Sequence, residues 1–412
     1  MFKRYPLWGV MLALIAAAGL LLAGLGTAAR ADSPKKYKIY LSLSYSGNAW
    51  QSEAANIVKA LAATPPYDKL VDLKEVISGT DVQAQISAYE SMIADGANGI
   101  ISFPISSSGL NKAIRRGCKA GVLIWVYDGM VTEPCAYSVS YLPSGFGENT
   151  AQYLVNLLHG QGNIFLSRGV AGNMVDKRHY DGAMSVFKKY PGIHIVAEYY
   201  GMWDDQTTQL ETAKALAAHP DVDGIWAQAG EDGALKAVLA SGREKLPKLT
   251  GENSNGFRLA LANPAFKARG FDGVSSGSPP ASAGVAFKLM MEQLVNGRKL
   301  PFHNVLYPLP WVPASSVDVC KGDTFENGCN AFPEGKVPDS FVDEVFNPTL
   351  VPELSIASAL QGTPTPGATI KPLPGNDYFK ESPNVPGIDC NHCQPPANLY
   401  PLTKVTPFSG GS

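Results

Sequence analysis

Apolar and polar residues follow two alternating patterns along the chain from Lys36 onward. Residues 37–44, YKIYLSLS, alternate as a β-strand does, and residues 49–63, AWQSEAANIVKALAA, carry an apolar stripe at helical spacing. The succession repeats until a strongly apolar run, GVLIWVYD, at residues 121–128. Strands that alternate with helices in this way predict βαβ units on a parallel sheet.

The same pattern starts again after Tyr137. A helical segment, GENTAQYLVNLLHG, precedes the strand-like GNIFLSRG, and further pairs continue to LPKLTGEN at residues 246–253. A long helix is predicted over Ala281–Asn296, with Gly297 as its stop signal. The sequence therefore predicts an α/β protein with two doubly wound parallel-sheet lobes of similar size.

The pattern fades beyond about Ser315, where proline and glycine become frequent, as in QGTPTPGATIKPLPG. Residues 315–412 also contain four of the six cysteines. We expect a C-terminal extension of low regular structure that wraps or caps the body. The alternative is a partly disordered tail.

The N-terminus has the three parts of a secretory signal. Lys3 and Arg4 precede a long apolar stretch, and Ala29-Arg30-Ala31 supplies a small-x-small cleavage site. We expect residues 1–31 to be removed on export to the periplasm, although the apolar stretch approaches the length of a membrane anchor. Cleavage would remove three basic and no acidic residues, so the net formal charge would change from −2 to −5.

Composition narrows the classes of partner. The 412-residue chain is 45% hydrophobic and 17% charged, an ordinary globular balance that favours more than one domain. Runs of Lys and Arg interleaved with aromatic residues are absent from the sequence, so nucleic acid is not an expected partner.

The six cysteines fall into three local pairs. In an exported protein an even number of cysteines favours structural disulfides, although six cysteines allow fifteen connectivities. The competing interpretation is a zinc site or a redox-active dithiol at Cys390 and Cys393, where His392 is the one further zinc-ligating residue type close by. The pairs are Cys118 and Cys135, Cys320 and Cys329, and Cys390 and Cys393.

Half-polar and aromatic residues follow the predicted strands, where ligands bind in open parallel sheets. Aromatic faces cover the C–H faces of a sugar ring, while carboxylates and amides bond its hydroxyls. Core packing or helix capping is the alternative role for each of them. The candidates are Tyr45, Asn48, Trp50, Phe103, Asp128, Asn173, Trp203, Gln228, Glu231 and Asn253.

Motifs of catalysis are missing from the sequence. It contains no G-x-S-x-G elbow, H-E-x-x-H pair or P-loop, and its six histidines are scattered. We therefore expect a binding protein rather than an enzyme, with no cofactor and no metal site.

Several segments of the chain, taken together, resemble the type I periplasmic binding proteins of sugar ABC transporters, the ribose-binding-protein-like group. The resemblance covers about residues 36–313. It is carried by YSGNAWQSEAANIVKALA at residues 45–62, by the run from MIADGANGIISFP to GVLIWVYDG, by GVAGNMVDKRHYDGAMSVF, by MWDDQTTQLETAKALAAHP and by TGENSNGF.

The resemblance implies several site residues. Asn48 and the aromatic after it would contact the ligand, together with Asp128, a stacking Trp203 and Asn253. The binding arginine of the group falls near Lys177 or Arg178, and Ser278 lies by a hinge segment.

The resemblance also implies an arrangement of lobes and a partner. The N-terminal lobe would comprise residues 36–138 and 278–305, and the C-terminal lobe residues 139–277 and 306–314. Three hinge strands would cross near Tyr137–Leu142, Gly273–Ser278 and Leu306–Pro313. A monomeric receptor would close on its ligand and deliver it to an ABC permease in the inner membrane.

Three departures from the group affect the expected ligand. Gly129 follows Asp128 where Arg is common, Ala229 and Gly230 replace an Asn-Asp pair, and Phe103 replaces Asn. Several hydroxyl-binding groups are thus missing and an aromatic ring is added. We therefore expect a larger, less polar or modified sugar-like or polyol-like ligand. The alternatives are a non-carbohydrate ligand and a sensing protein that docks to a membrane signalling receptor.

Overall fold

Two six-stranded sheets form the framework of the protein. The computed structural model describes residues 1, 36–141, 145–307, 309, 311–323, 329–343, 350–379 and 405–409. In the first sheet the strand order is β11-β5-β4-β3-β1-β2, and all neighbours are parallel. Its strands are β1 (Tyr37–Leu43), β2 (Val71–Ile77), β3 (Gly99–Phe103), β4 (Leu123–Asp128), β5 (Tyr137–Tyr141) and β11 (Asn304–Tyr307).

The second sheet has the order β12-β10-β9-β8-β6-β7. Its strands are parallel except that β12 runs antiparallel to β10. They are β6 (Gly162–Arg168), β7 (Ile193–Tyr200), β8 (Gly224–Ala227), β9 (Lys248–Gly251), β10 (Gly273–Ser276) and β12 (Trp311–Pro313). The prediction of two parallel-sheet α/β lobes is confirmed.

Helices connect the strands, and polar side chains begin several of them. The Asp81 carboxylate accepts a hydrogen bond from Ala84 N and caps α3. The helices are α1 (Ala49–Ala63), α2 (Tyr67–Leu70), α3 (Val82–Ala94), α4 (Asn111–Lys119), α5 (Gly145–Leu157), α6 (Met174–Phe187), α7 (Asp205–Ala218), α8 (Glu231–Ala240), α9 (Asn255–Ala262), α10 (Pro264–Ala268), α11 (Ala281–Asn296) and α12 (Ile356–Gln361).

The chain passes between the two sheets three times, after Tyr141, after Ser276 and after Tyr307. Strand β5 lies in the first sheet over its whole length, because its register with β4 begins at Tyr137 and ends at Ser140. Strand β11 likewise pairs with β5 as far as Tyr307. We therefore move the proposed lobe boundaries from residues 138 and 305 to residues 141 and 307.

Segments of the C-terminal extension pack against both lobes. We call residues 329–343 and 350–373 the strap. On the second lobe, Phe341 O and Asp339 O accept hydrogen bonds from the first two amides of α9, at 2.7 and 2.8 Å. On the first lobe, Val342 N donates to Glu53 Oε1 at 2.9 Å. In the part of the extension that the structure describes, the expected low content of regular structure is seen, with the short helix α12 and a 3₁₀ turn at Asn376–Tyr378.

A buried ion pair anchors the strap to the first lobe. Lys288 Nζ in α11 lies 2.8 Å from Glu353 Oε1, and both side chains are 1% exposed. Lys288 Nζ also donates to Leu350 O at 2.6 Å. The pair is therefore fully desolvated and hydrogen-bonded, which is the arrangement a buried charge requires.

Two of the three predicted cysteine pairs are disulfides. Cys118 bonds to Cys135, Cys320 bonds to Cys329, and the described residues include no free cysteine. Cys390 and Cys393 lie outside the described residues, as does the predicted signal segment apart from Met1. Within the described ranges, none of the helices combines the length and apolar character required to cross a bilayer.

Candidate functional site

The loop after β1 joins the two lobes directly. Asn48 caps α1 through its Oδ1, which accepts from Gln51 N at 2.9 Å, and its Nδ2 donates to Trp203 O at 3.1 Å. Tyr45 Oη donates to Met202 O at 3.0 Å. The loop thus presents polar atoms to the second lobe, as is expected at the carboxyl end of a parallel strand.

Trp50 lies in an aromatic cluster of the first lobe. Its ring stacks on Tyr127 at a centroid distance of 6.2 Å and tilts against Phe103 at 6.1 Å. Its Nε1 donates to Ser278 O at 2.7 Å, and the side chain is 7% exposed. The predicted contact residue is therefore partly core and partly cleft wall.

Trp203 forms the facing wall from the second lobe. It and Met202 have left-handed backbone conformations, with φ of 58° and 60°. The indole lies against Gly169, where a Cβ atom would come within 2.1 Å of the ring. Its Nε1 donates to Gln228 Oε1 at 3.4 Å. Gln228 in turn donates to Asp176, so it positions the indole rather than lining a cavity.

An inner cavity lies where the two aromatic walls meet. Its volume is about 20 Å³, which is enough for about one water molecule but not for a sugar. Trp50, Phe103 and Trp203 occupy the rest of this space. The lining residues are Asn48, Trp50, Gln51, Phe103, Asp128, Val175, Trp203, Glu252 and Ser278.

Asp128 lines the inner cavity, and the positive charge of Arg178 acts on it from outside the cavity lining. Burial raises the pKa of Asp128 to about 6, while the Ser278 hydrogen bond and the positive charge of Arg178 oppose the shift. One Asp128 oxygen and all three Arg178 guanidinium nitrogens are buried without a hydrogen-bond partner among the described residues. The guanidinium carbon lies 5.1 Å from the centre of the Tyr141 ring. Such donors require acceptors, which the hydroxyls of a ligand could supply.

A larger outer cavity adjoins the inner one. Its volume is about 360 Å³, which is in the range of small-ligand sites. It shares Asn48, Trp50, Trp203 and Glu252 with the inner cavity. The other lining residues are Ser46, Gly47, Ala49, Ser52, Asp204, Asp205, Gln206, Ala229, Gly230, Glu231, Asn253, Ser254, Ser340 and Val342.

Glu231 is the most deeply buried carboxylate of the outer cavity, with 1% exposure. It is the first residue of α8, and its Oε1 accepts from Ser254 Oγ at 2.8 Å. Burial, followed by the negative charge of Asp205, raises the pKa of Glu231 to about 7. The carboxyl group therefore exchanges its proton near neutral pH.

The other predicted site residues lie outside both cavities. Asn173 is buried and caps α6, where its Oδ1 accepts from Val175 N at 2.7 Å. Lys177 is exposed and forms an ion pair with Asp181. Tyr45 contacts the Trp203 ring edge-on at a centroid distance of 6.2 Å, and it lines neither cavity. The structure brings these residues near the cleft without placing their side chains in it.

Sequence reasoning misses the contribution of the strap. Ser340 and Val342 line the outer cavity, although they follow Asn253 by more than eighty residues. Neither residue lies in a periodic segment or a motif, so the sequence carries no local signal for them. In the described parts of the chain, no group of three or more His, Cys, Asp or Glu side chains is placed to hold a metal ion.

Comparisons with known proteins agree with this fold. Residues 39–299 match the family model described as periplasmic binding protein domain. A xylitol-binding protein of Mycolicibacterium smegmatis is 27% identical over 248 residues, 59% of this chain and 68% of that protein. A D-ribose/D-allose-binding protein of Pseudomonas aeruginosa is 24% identical over 242 residues, 55% of this chain and 73% of that protein.

A solved structure shows the same architecture. The crystal structure of an ABC transporter solute binding protein from Thermobispora bispora aligns with a TM-score of 0.59 at 26% identity. The alignment covers 67% of this chain and 85% of that chain.

Proposed function

We propose, from the premise that this chain belongs to the periplasmic binding protein family, that it captures a small sugar-like or polyol-like ligand between its two lobes. Delivery of the ligand to an ABC importer follows from the same proposal, as do export, signal-peptide cleavage and a monomeric state. The xylitol-binding and ribose/allose-binding relatives support the ligand class. No step of this function requires catalysis.

The observation that carries the proposal is the buried, unpartnered Arg178 guanidinium beside Asp128. Among the described residues, no acceptor satisfies its three nitrogens, and one oxygen of Asp128 also lacks a donor. Burying a charged group without hydrogen bonds costs several kcal/mol in order of magnitude. A ligand with both donor and acceptor hydroxyls could satisfy both groups at once, and a plain apolar ligand could not.

Capture requires a change of conformation. The inner cavity of about 20 Å³ excludes a sugar in the conformation described. Trp203 from the second lobe and Trp50 from the first lobe close it, so a rotation of one lobe against the other would enlarge it. A ligand that bridges Arg178 and Asn48 would then stabilise a closed form through its differential affinity for the two states.

A thermal-shift screen tests the proposal. The full-length chain is screened against pentoses, hexoses, alditols, nucleosides and small aromatic compounds. A ligand present at a hundred times its Kd adds about 2.7 kcal/mol to the free energy of unfolding, which raises Tm measurably. If nucleosides or aromatic compounds raise Tm and no sugar or alditol does, the carbohydrate proposal is wrong.

Arg178→Gln gives the matching prediction for the site. The substitution removes the buried charge and its bidentate donors, so the affinity for the identified sugar or alditol should fall by about tenfold or more, measured by calorimetry. Lys188→Gln at the exposed end of the same helix is the control and should leave the affinity unchanged. Equal affinities in the two variants would remove Arg178 from the binding site.

A further inference from the structure

We propose that the outer cavity selects a ligand carrying a positively charged amino group, so that the preferred ligand is an aminated sugar or polyol. The inference rests on the proposed function and adds a charge to its ligand. Four carboxylates and no Lys, Arg or His side chain are among the described residues that line this cavity. The carboxylates are Asp204, Asp205, Glu231 and Glu252.

Helix capping accounts for two of these carboxylates. Asp204 caps α7, where its Oδ1 accepts from Thr207 N at 2.7 Å. Asp205 Oδ1 accepts from Gly233 N, in the first turn of α8, at 3.2 Å. Negative charge at helix N-termini is favourable, so these two residues alone would not indicate a cationic ligand.

Glu231 is not accounted for in this way. Its side chain is 1% exposed, and among the described residues its buried Oε2 makes no hydrogen bond. The residue lines the cavity together with Asp204, Asp205 and Glu252. A buried carboxylate with unused acceptor capacity, in a cavity lined by three further carboxylates, favours a cationic donor such as an ammonium group.

The two tryptophans of the cavity suit the same ligand. The indole N–H groups of Trp50 and Trp203 already donate to Ser278 O and Gln228 Oε1. The rings therefore offer the cavity π-electron surface and no further donor. Aromatic faces attract cations and also cover the C–H faces of a sugar ring. A volume of about 360 Å³ accommodates a molecule of monosaccharide size.

Cations of the protein itself do not line the cavity, as far as the described residues show. Lys236, on α8, is 53% exposed and lies 3.7 Å from Asp339 of the strap. The Arg178 guanidinium interacts with Asp128 at the inner cavity. The Glu231 carboxyl group faces Asp205 and Ser254, with Asp232 and Glu252 nearby, so a bound ammonium would relieve repulsion among acidic groups.

Calorimetry with matched ligand pairs tests the inference. D-glucamine is compared with sorbitol, and D-glucosamine with D-glucose and N-acetyl-D-glucosamine, each titrated into the full-length chain. In each pair the ligands differ at one group, an ammonium against a hydroxyl or an amide. A charge-assisted hydrogen bond exceeds a neutral one by enough to give the amine about tenfold or more tighter binding.

Two variants locate the selectivity. Glu231→Gln is nearly isosteric and removes the charge, so the ratio of amine to neutral affinity should fall toward unity. Glu334→Gln, an exposed carboxylate of the strap, should leave the ratio unchanged. An unchanged ratio in Glu231→Gln would contradict the role given to this residue.

The pH dependence supplies a second readout. For the D-glucamine and sorbitol pair, from about one unit below to about one unit above the pKa of Glu231, the ratio should rise with pH, because the primary alkylammonium group of D-glucamine stays charged there while Glu231 loses its proton. Binding of the amine should also release protons to the buffer, by up to one proton per site.

The outcomes separate this inference from the proposed function. If neutral sugars or alditols bind as tightly as their amines, the inference is wrong and the proposed function stands. If neither class binds and no sugar or alditol raises Tm in the thermal-shift screen, both are wrong. If amines bind more tightly but without the pH dependence, the charge that selects them is not that of Glu231.

Discussion

Trp203 is the residue on which both cavities depend. It closes the inner cavity and forms a wall of the outer one, and its left-handed backbone turns the indole toward the first lobe. A left-handed conformation costs energy for a residue other than glycine, so the packing around it must impose it. That packing is Gly169 beneath the ring and Gln228 at its N–H group.

Gly169→Ala should displace this indole. A Cβ atom at this position would lie within 2.1 Å of the Trp203 ring, which is an impossible contact. We expect a loss of about 1–3 kcal/mol in the free energy of unfolding and weaker ligand binding. Urea unfolding and calorimetry measure the two effects. Gly322→Ala is the control, because a Cβ atom added there would meet no other atom within 4 Å. If the two variants behave alike, Gly169 does not hold the indole in place.

Buried carboxyl groups make the stability of the free protein depend on pH. The pKa of Asp128 is raised to about 6 and that of Glu231 to about 7, chiefly by burial. The folded state therefore holds these protons where the unfolded state has released them, and stability falls as pH rises from about 4 to about 7. His179 acts in the opposite sense, because burial lowers its pKa to about 3.

Glu231→Gln isolates one of these contributions. In the wild type, the free energy of unfolding should decrease between about pH 4.5 and pH 7 by an amount on the order of 3 kcal/mol for this fully buried group, and the variant should lack this decrease. Urea unfolding of both proteins at intervals of pH measures the difference. Parallel curves for the wild type and the variant would show that Glu231 has an ordinary pKa.

At the scale of elements, a desolvated ion pair attaches the strap to the first lobe. Glu353 accepts hydrogen bonds from Lys288 Nζ and from Lys371 N, and Lys288 lies within the buried half of α11. Burial lowers the pKa of Lys288, while Glu353 opposes that shift. Removal of one partner would leave a buried charge without compensation.

Glu353→Gln should therefore destabilise the protein strongly. Breaking a buried ion pair from one side costs about 3–5 kcal/mol, so Tm should fall by several degrees. Differential scanning calorimetry measures the change. Glu334→Gln, an exposed position of the same strap, should leave Tm unaltered. If Glu353→Gln lowers the free energy of unfolding by less than about 1 kcal/mol, then Lys288 finds another partner or loses its proton at little cost.

The elements themselves follow from local patterns. The predicted helix at residues 49–63 coincides with α1, because the apolar stripe and the Asn48 cap both act within one helix length. The predicted strands likewise agree, because alternation and β-branched runs are local features. The sequence predicts an extension that wraps or caps the body but not the path of the strap, since that path depends on contacts such as Val342 with Glu53, which are 289 residues apart.

The site was predictable only in part, for the same reason. The topological rule places Asn48, Trp50, Phe103, Asp128 and Trp203 at strand ends, and all of them line the inner cavity. The rule does not give the direction of a side chain, so it also selects Asn173, whose side chain caps α6 and lines neither cavity. The resemblance left Lys177 and Arg178 as alternatives. Lys177 and Arg178 are neighbours on α6, so their side chains point in different directions around the helix axis. Lys177 forms an exposed ion pair, whereas the Arg178 guanidinium is buried.

At the scale of the molecule, the strap adds a link between the two lobes to the three crossings and to the hydrogen bonds of the loop after β1. Its residues 339–343 bond the start of α9 in the second lobe and Glu53 in the first. A link of this kind limits how far the lobes can separate in the absence of a ligand.

Glu53→Ala should weaken that link. The variant removes the acceptor of Val342 N, so the free protein should sample more open conformations and show a larger radius of gyration by small-angle X-ray scattering. Glu75→Ala is the control, a first-lobe carboxylate that pairs with Lys59 rather than with the strap. If neither variant differs from the wild type, the strap does not restrict opening.

The order of the strands along the chain has a consequence for how the protein is assembled. All the parallel strands of the second sheet lie between residues 162 and 276, whereas the first sheet lacks its edge strand β11 until residue 307 has been synthesised. Domains commonly fold as units in the order in which the chain emerges. Here the parallel strands of the second lobe would be available before the edge strand of the first lobe, and the second sheet would gain its antiparallel strand β12 only after β11. The outer cavity would be completed last, when the strap arrives.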